Sequence, residues 1–148
     1  MNTYSFKKVD PGQCTTPSVS EQWAWQDLVP GISSIEDAVA KLGSISSSTK
    51  YVNATCHSFC NGAVEIITLD GESIIANLRI LAGFAGKDGF PSSLDDTEAL
   101  FGPLRRTGMD EFGTVFYEKP GMRIACEFLT SPQKIKSVEL YPLAMSKC

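Results

Sequence analysis

The sequence is poor in the residues and motifs on which many enzyme and metal sites depend. Its 148 residues include a single histidine, His57, which excludes a site built on two or more histidines. It contains no Gly-x-x-x-x-Gly-Lys-Ser/Thr segment, and Gly83, Gly86 and Gly89 do not have the spacing of a dinucleotide-binding loop. We therefore expect no catalytic residue, no metal ligand and no cofactor.

The sequence also lacks a long hydrophobic run and an excess of positive charge. Asn77, Arg79 and Lys87 interrupt the longest apolar stretches well before the roughly 18 residues that a membrane-spanning helix needs. Residues 1–8 do not have the apolar core of a signal peptide. With 13 basic and 17 acidic residues, the formal charge is −4. These features predict a cytoplasmic protein that binds neither membranes nor nucleic acid.

The negative charge is confined to one half of the chain. Residues 1–74 contain four basic and eight acidic side chains, whereas residues 75–148 contain nine of each. Such an asymmetry favours a protein partner that contacts the first half. Ordinary solvated surface is the alternative interpretation.

The five cysteines do not indicate a disulfide framework. Their number is odd, and a small secreted scaffold carries an even set, so we expect mostly reduced thiols. Cys56, His57 and Cys60 are the one local cluster of metal-ligating residue types, but their spacing is not that of a zinc site. A nucleophilic pair of Cys60 with His57 is possible in principle, although no third residue is present to orient it.

Two segments of the chain share one pattern. Residues 33–43 and 92–102, which are 59 positions apart, both read Ser-Ser, aliphatic, acidic, Asp, two variable residues, Ala, two more and Gly. The Ser34 and Ser93 hydroxyls can cap a first helical turn together with the Asp three positions later. A glycine follows each segment as a helix end. The pattern predicts two short capped helices.

Alternating apolar residues and turn signals follow each predicted helix. They predict strands over residues 50–57, 63–69, 73–82, 114–119, 122–129 and 134–141, and an additional edge strand over residues 4–9. The predicted fold is α+β: a tandem repeat of one short helix and a three-stranded antiparallel meander, packed as one unit. A single domain would comprise an N-terminal strand and arm (1–30), repeat one (31–86) and repeat two (87–148).

Trp23, Trp25 and Asp27 are the most suggestive candidates for partner binding. Two tryptophans two positions apart in an extended segment project to the same side. Exposed indoles beside a carboxylate would form an anchor of the kind that dominates protein–protein affinity. The alternative, which we favour, is that the arm folds back and both indoles fill the core.

Two acidic pairs complete the set of predicted partner-binding residues. Glu36 and Asp37 lie in the first turn of the first predicted helix, where capping already explains them. Asp110 and Glu111 lie in a loop before a strand, where they could bind an Arg or Lys of a partner.

The segment Leu-Val-Pro-Gly-Ile-Ser-Ser-Ile-Glu-Asp-Ala-Val-Ala-Lys-Leu-Gly, residues 28–43, resembles the opening of a bacterial helix-plus-sheet module. This module occurs in outer-membrane assembly lipoproteins of the SmpA/OmlA type and, twice, in the beta-lactamase inhibitory protein family. The remainder of the chain is similar in plan. The resemblance implies a binding module rather than an enzyme, with the sheet face and the loops contacting another protein.

Together these features predict a non-enzymatic inhibitor, such as a bacterial immunity protein that blocks a cognate toxin. A different hypothesis is a small ligand-binding protein or hydrolase with a pocket between the sheets, using Cys60, His57 or the pair Asp110 and Glu111. A third hypothesis is a structural subunit of a larger assembly.

Overall fold

The structure, a computed structural model, describes residues 6–9, 22–84, 89–129 and 133–142, and within these ranges it contains ten strands and two α-helices. The elements in chain order are β1 (Phe6–Val9), β2 (Gln22–Trp25), α1 (Ile35–Leu42), β3 (Ser47–Lys50), β4 (Ala54–Phe59), β5 (Val64–Leu69), β6 (Ile75–Leu81), α2 (Leu94–Phe101), β7 (Arg105–Met109), β8 (Thr114–Lys119), β9 (Met122–Glu127) and β10 (Ile135–Leu140).

Eight of these strands form one antiparallel sheet in the order β3-β4-β5-β6-β10-β9-β8-β7. The predicted α+β class is therefore confirmed. The two halves of the chain join where β6 pairs with β10, so they share a sheet. β1 and β2 form a separate antiparallel hairpin.

The predicted three-stranded meanders are wrong in strand number, because each helix is followed by four strands. The unpredicted strands, β3 and β7, are the two edges of the sheet, and every residue in both is exposed. Edge strands of this kind have no buried side, so their sequences lack the alternation on which strand prediction depends. The N-terminal segment also differs from a simple arm, because β2 folds back onto β1. Residues 10–21 of the predicted arm lie outside the described residues.

The helix caps follow the sequence pattern closely. In α1 the Ser34 hydroxyl accepts the Asp37 amide, and the Asp37 carboxylate accepts the Ser34 amide at 2.9 Å, which completes a capping box. In α2 the Ser93 hydroxyl accepts the Asp96 amide, but the Asp96 carboxylate accepts the Ser92 hydroxyl instead. The helices end at Gly43 and Gly102, with φ of +92° and +91°, a conformation that favours glycine.

One face of the eight-stranded sheet is covered by the helices and the β1–β2 hairpin. Strand alternation directs Val64 and Ile66 of β5, and Met122 and Ile124 of β9, to this covered face, and all four are fully buried. They belong to a single hydrophobic cluster with aromatic residues from outside the sheet, namely Phe6, Trp23, Trp25, Phe84, Phe90 and Phe101. We call the other side of the sheet the open face.

Neither α1 nor α2 is long and apolar enough to cross a membrane, and the described residues contain no other helix of that kind. Among the described cysteines, Cys56, Cys60 and Cys126 are free thiols. Cys14 and Cys148 lie outside the described residues.

Candidate binding surface

A row of alternating charges crosses the open face. Each of six neighbouring strands contributes one charged residue, and each residue lies directly opposite the next across the strand pair. In the order of the strands, the row consists of Glu65, Arg79, Glu139, Arg123, Glu118 and Arg105. We call this row the charge ladder. Directly opposed residues on neighbouring antiparallel strands lie about 4.5–5.5 Å apart, so every interior charge has an opposite charge on both sides.

The clearest contact within the ladder joins β5 and β6. The Arg79 Nε donates to Glu65 Oε1 at 2.9 Å, and a second guanidinium nitrogen of Arg79 contacts the same oxygen. Both side chains keep some solvent contact, 24 % for Glu65 and 44 % for Arg79. Exposed ion pairs of this kind contribute little to stability, so the ladder mainly defines the pattern of charge on the open face.

The centre of the ladder is formed around Arg123. Its guanidinium lies 4.0 Å from the centroid of the Phe116 ring, which is a close cation–π contact. Arg123 and Phe116 line a hollow of about 40 Å³ together with Glu139 and Ala125. The Arg123 Nε is buried and has no hydrogen-bond partner among the described residues. The guanidinium of Arg123 thus lies against an aromatic ring in the middle of the open face and carries a donor with no partner among the described residues.

A row of uncharged residues runs beside the ladder, two positions away from it on β6, β10, β9 and β8 and three positions away on β7, where the register shifts. Cross-strand pairing places Leu81, Ser137, Ala125, Phe116 and Gly108 in line from β6 to β7. The row consists of two larger apolar side chains separated by small ones. The open face therefore combines a charged row with a mostly apolar row.

The two predicted tryptophan anchors are not on the surface. Trp23 and Trp25 are only 4 % and 0 % exposed, because β2 pairs with β1 over the covered face. The Trp23 ring packs edge-on against Phe101, 4.8 Å between centroids, and the Trp25 ring packs against Phe84 at 5.6 Å. The exposed-anchor hypothesis is therefore wrong, and the alternative that both indoles fill the core is confirmed.

Asp27 is exposed but has partners within the chain. It lies with Gln26 in the turn after β2, where both residues have positive φ. Its carboxylate contacts Lys7 of β1 at 2.7 Å and Lys41 of α1 at 3.4 Å. Hydrogen bonds from these two lysines hold the pKa of Asp27 below its ordinary value. Asp27 thus ties the hairpin to the end of α1.

The predicted acidic pairs lie at opposite ends of the sheet. Glu36 and Asp37 begin α1, next to the turn between β5 and β6, because Ser34 bridges to Ile74. Asp110 and Glu111 lie between β7 and β8, at the other end according to the strand directions. They form no common acidic patch with Glu36 and Asp37.

Only two members of these pairs are available to a partner. The Asp37 carboxylate completes the helix cap. The Asp110 carboxylate accepts the Thr114 and Phe112 amides, each at 2.9 Å, and these hydrogen bonds lower its pKa. Glu36 and Glu111 are exposed, so partner binding by these two remains a prediction.

In the part of the chain that the structure describes, the residues of the ligand-binding or hydrolase hypothesis lie apart: His57 and Cys60 at β4, and Asp110 and Glu111 between β7 and β8. His57 contacts Ser48 through Nδ1 at 3.3 Å and Thr68 through Nε2 at 3.0 Å, and burial lowers its pKa. Cys60 lies in the turn after β4 and is exposed as a residue, although partial desolvation of its thiol raises the pKa. Two grooves, of about 620 and 570 Å³, contain neither of these residues nor Asp110 or Glu111. Because both halves share one sheet, the predicted pocket between two repeat sheets has no counterpart in the described residues.

Within the described residues, no three His, Cys, Asp or Glu side chains come together as a possible metal site. The charge ladder was not predicted from the sequence. Each strand by itself shows one of the charged residues, as β6 shows Arg79 between Asn77 and Leu81. Their alignment depends on the pairing of β6 with β10, which are far apart in the sequence.

No protein-family model matches the chain, and no curated protein sequence matches it significantly. Among solved structures, the chain is similar to YjgB, a DUF4309 family protein from Bacillus subtilis, with 12 % sequence identity and a TM-score of 0.48. The match covers 87 % of this chain and 88 % of that protein.

Proposed function

We propose that the chain is a tandem repeat of a helix and an antiparallel meander. The equivalent positions of the two helices relative to the sheet support this proposal. Ser34, before α1, bridges to Ile74 at the start of β6, and Ser93, before α2, bridges to Lys134 at the start of β10. β6 and β10 are the last strands of the two halves and pair with each other. The same arrangement supports a relationship to the SmpA/OmlA-type and beta-lactamase inhibitory modules.

We propose further that the chain is a non-enzymatic inhibitor that binds its target protein on the open face. The most specific form of this proposal is a cytoplasmic bacterial immunity protein that neutralises a cognate toxin. The observation that carries it is the difference between the two faces of one sheet. One face is covered by two helices and a hairpin, whereas the other has a ladder and an apolar row with no part of the described chain packed over them.

The size of the open face suits a protein partner. Eight strands spaced about 4.8 Å apart span about 34 Å, and strands of about six residues are about 20 Å long. The resulting area, about 700 Å², is close to the roughly 800 Å² that each partner contributes to a standard protein–protein interface.

The charge pattern constrains the target. The ladder holds three acidic and three basic residues, so it is neutral although the chain carries −4. A uniformly basic target would gain little from this surface. We expect a target surface with both signs of charge, in register with the ladder.

The test uses the products of genes adjacent to the gene for this chain, because inhibitors are commonly encoded beside their targets. We expect one of these products to form a one-to-one complex by calorimetry and to lose its own activity when bound. Ala125→Arg places a bulky cation in the centre of the open face and should lower the affinity on the order of 100-fold. Ala99→Arg, the matched change on the exposed side of α2, should leave the affinity unchanged.

Three results would overturn the proposal. The first is that no neighbouring product binds the purified chain. The second is a complex that Ala125→Arg and Ala99→Arg affect equally, because the open face would then not be the contact surface. The third is turnover of a small molecule by the chain itself.

A further inference from the structure

The ladder has a symmetry that goes beyond the proposed function. Read from β5 to β7, its signs are minus, plus, minus, plus, minus, plus. A row of even length with alternating signs becomes its own complement when it is reversed. A reversed copy placed opposite the ladder therefore presents an opposite charge at every position.

We propose that the open face binds a second copy of this chain, face to face, about a two-fold axis parallel to the strands. The axis would lie between β9 and β10, at the middle of the ladder. Glu139 would then oppose Arg123 of the second copy, Arg79 would oppose its Glu118, and Glu65 would oppose its Arg105. Each contact occurs twice, as a two-fold interface requires.

The uncharged row fits the same arrangement. The axis that pairs β10 with β9 also pairs β6 with β8, so Leu81 meets Phe116 of the second copy. The small residues Ser137 and Ala125 meet each other in the same way. The larger side chains thus face each other and the small ones allow the two sheets to approach, as in sheets that pack face to face about 10 Å apart.

The other two-fold axis in the plane of the interface is unfavourable. An axis along the ladder would place each charge opposite the same residue of the second copy, with like charges in contact at all six positions. Such contacts are destabilising. The charge pattern therefore selects one relative orientation.

The expected dimer is weak and sensitive to salt. Charges that leave water on association lose hydration, which offsets much of their mutual attraction. The attraction that remains is screened as salt increases above about 0.1 M, where the Debye length is about 10 Å. Because the dimer would cover the surface assigned to the target protein, dimerisation and target binding would exclude each other.

Two charge reversals test the proposal. In Glu139→Arg, the new cation would face Arg123 of the second copy at both symmetric positions. In Arg123→Glu, the new carboxylate would face Glu139 in the same way. Each variant alone should be monomeric in sedimentation velocity at low salt and high protein concentration, where the unmodified chain is dimeric.

Mixing the two variants is the decisive step. In a mixed dimer, the arginine introduced at position 139 of one copy faces the glutamate introduced at position 123 of the other. The native Arg123 of the first copy faces the native Glu139 of the second, so every contact between the copies is again complementary. We expect the dimer to reappear in the mixture, with a dissociation constant within about tenfold of the unmodified chain. Damage within a single chain would persist on mixing, so restoration can come only from contact between copies.

Asp95→Arg is the matched control for Glu139→Arg, since it makes the same charge change on α2, away from the open face. It should remain dimeric. Arg106→Glu is the control for Arg123→Glu, because its cross-strand neighbour Tyr117 belongs to the covered side. Circular dichroism and thermal melting verify that all four variants fold.

Three outcomes would overturn the dimer. These are a monomeric unmodified chain under all conditions, a dimer that Glu139→Arg leaves intact, and variants that stay monomeric when mixed. In the last case the ladder acts only within one chain. None of these outcomes affects the inhibitor proposal, which the Ala125→Arg experiment tests on a different partner.

Discussion

The two faces of the eight-stranded sheet are built from the same strands and have opposite chemistry. On the covered face, Ile66, Leu78 and Ile124 are completely buried. On the open face, neighbouring positions of the same strands hold Glu65, Arg79 and Arg123, all with some exposure. The covered face contributes the hydrophobic energy of folding, and the open face contributes a defined arrangement of charge.

This difference separates stability from recognition in one element. Side chains on the covered face pack against α1, α2 and the β1–β2 hairpin, so a change there alters the core. Side chains on the open face contact neighbouring strands and solvent, so most changes there should leave the fold intact. The following predictions test that separation, starting with the largest expected effect.

Trp25→Ala should destabilise the protein most strongly. The Trp25 side chain is fully buried in the hydrophobic cluster, and removing such an indole costs about 3–5 kcal/mol of unfolding free energy. Chemical denaturation measures this loss. Phe116→Ala removes a half-buried ring from the open face and should cost clearly less. Equal losses for the two variants would contradict the division between the faces.

The two strand cysteines give a closer comparison. Cys126 lies on the covered face with no exposure, and its burial raises the pKa of the thiol to about 11. Cys126→Ser places a hydroxyl in this apolar site and should cost about 1–3 kcal/mol.

Cys56→Ser is the matched change on the open face, where Cys56 is also buried, at 8 % exposure, but its sulfur lies 3.9 Å from Glu65 Oε2. The shorter, more polar hydroxyl can donate to that carboxylate, so the loss should stay below about 1 kcal/mol. Urea denaturation of both variants measures the two losses of unfolding free energy, and the loss for Cys126→Ser should be the larger. A larger loss for Cys56→Ser would show that the open face is not tolerant of polar groups.

His57, at the margin of the covered face, should have a smaller effect on stability, and this effect depends on pH. Burial lowers the pKa of its ring in the folded protein. Between that lowered pKa and the ordinary value of about 6.5, the unfolded chain binds a proton that the folded chain does not. Stability should therefore fall as the pH decreases through this window.

His57→Asn should remove this part of the pH dependence. The measurement is the urea midpoint at about pH 7.5 and about pH 5.5, a range above that in which carboxylates such as Asp27 are protonated. If the difference between the two midpoints is the same in His57→Asn as in the unmodified chain, His57 does not contribute to the pH dependence of stability.

The smallest effect is expected for the ion pair between Glu65 and Arg79. Both side chains are partly exposed, so a double-mutant cycle with alanine should give a coupling of about 0.5 kcal/mol that decreases with salt. A coupling several times larger would mean that the ladder stabilises the fold, and the open face would then have two roles.

The elements that were predicted well depend on local chemistry. The strands predicted over residues 114–119 and 63–69 agree with β8 and β5 within one residue, because turns with Pro-Gly and Asp-Gly mark their ends. α1 begins after Ser34 as its capping box requires. Each of these signals involves residues only a few positions apart.

The features that were not predicted depend on distant contacts. β3 and β7 have no apolar side, and only pairing with β4 and β8 defines them as strands. Burial of Trp23 and Trp25 was favoured from the sequence, but the contact that buries them was not predicted, because β2 pairs with β1, 13 or more residues away in the chain.

The sequence by itself determined the class of fold, the two capped helices and most of the strands, because hydrogen-bond caps, turns and alternation act over a few residues. Only the tertiary structure decided which charges become neighbours. The charge ladder needs six strands in a particular order and register, including the pairing of β6 with β10. That register is set by the packing of the covered face, where a shift of one residue would turn buried side chains toward solvent.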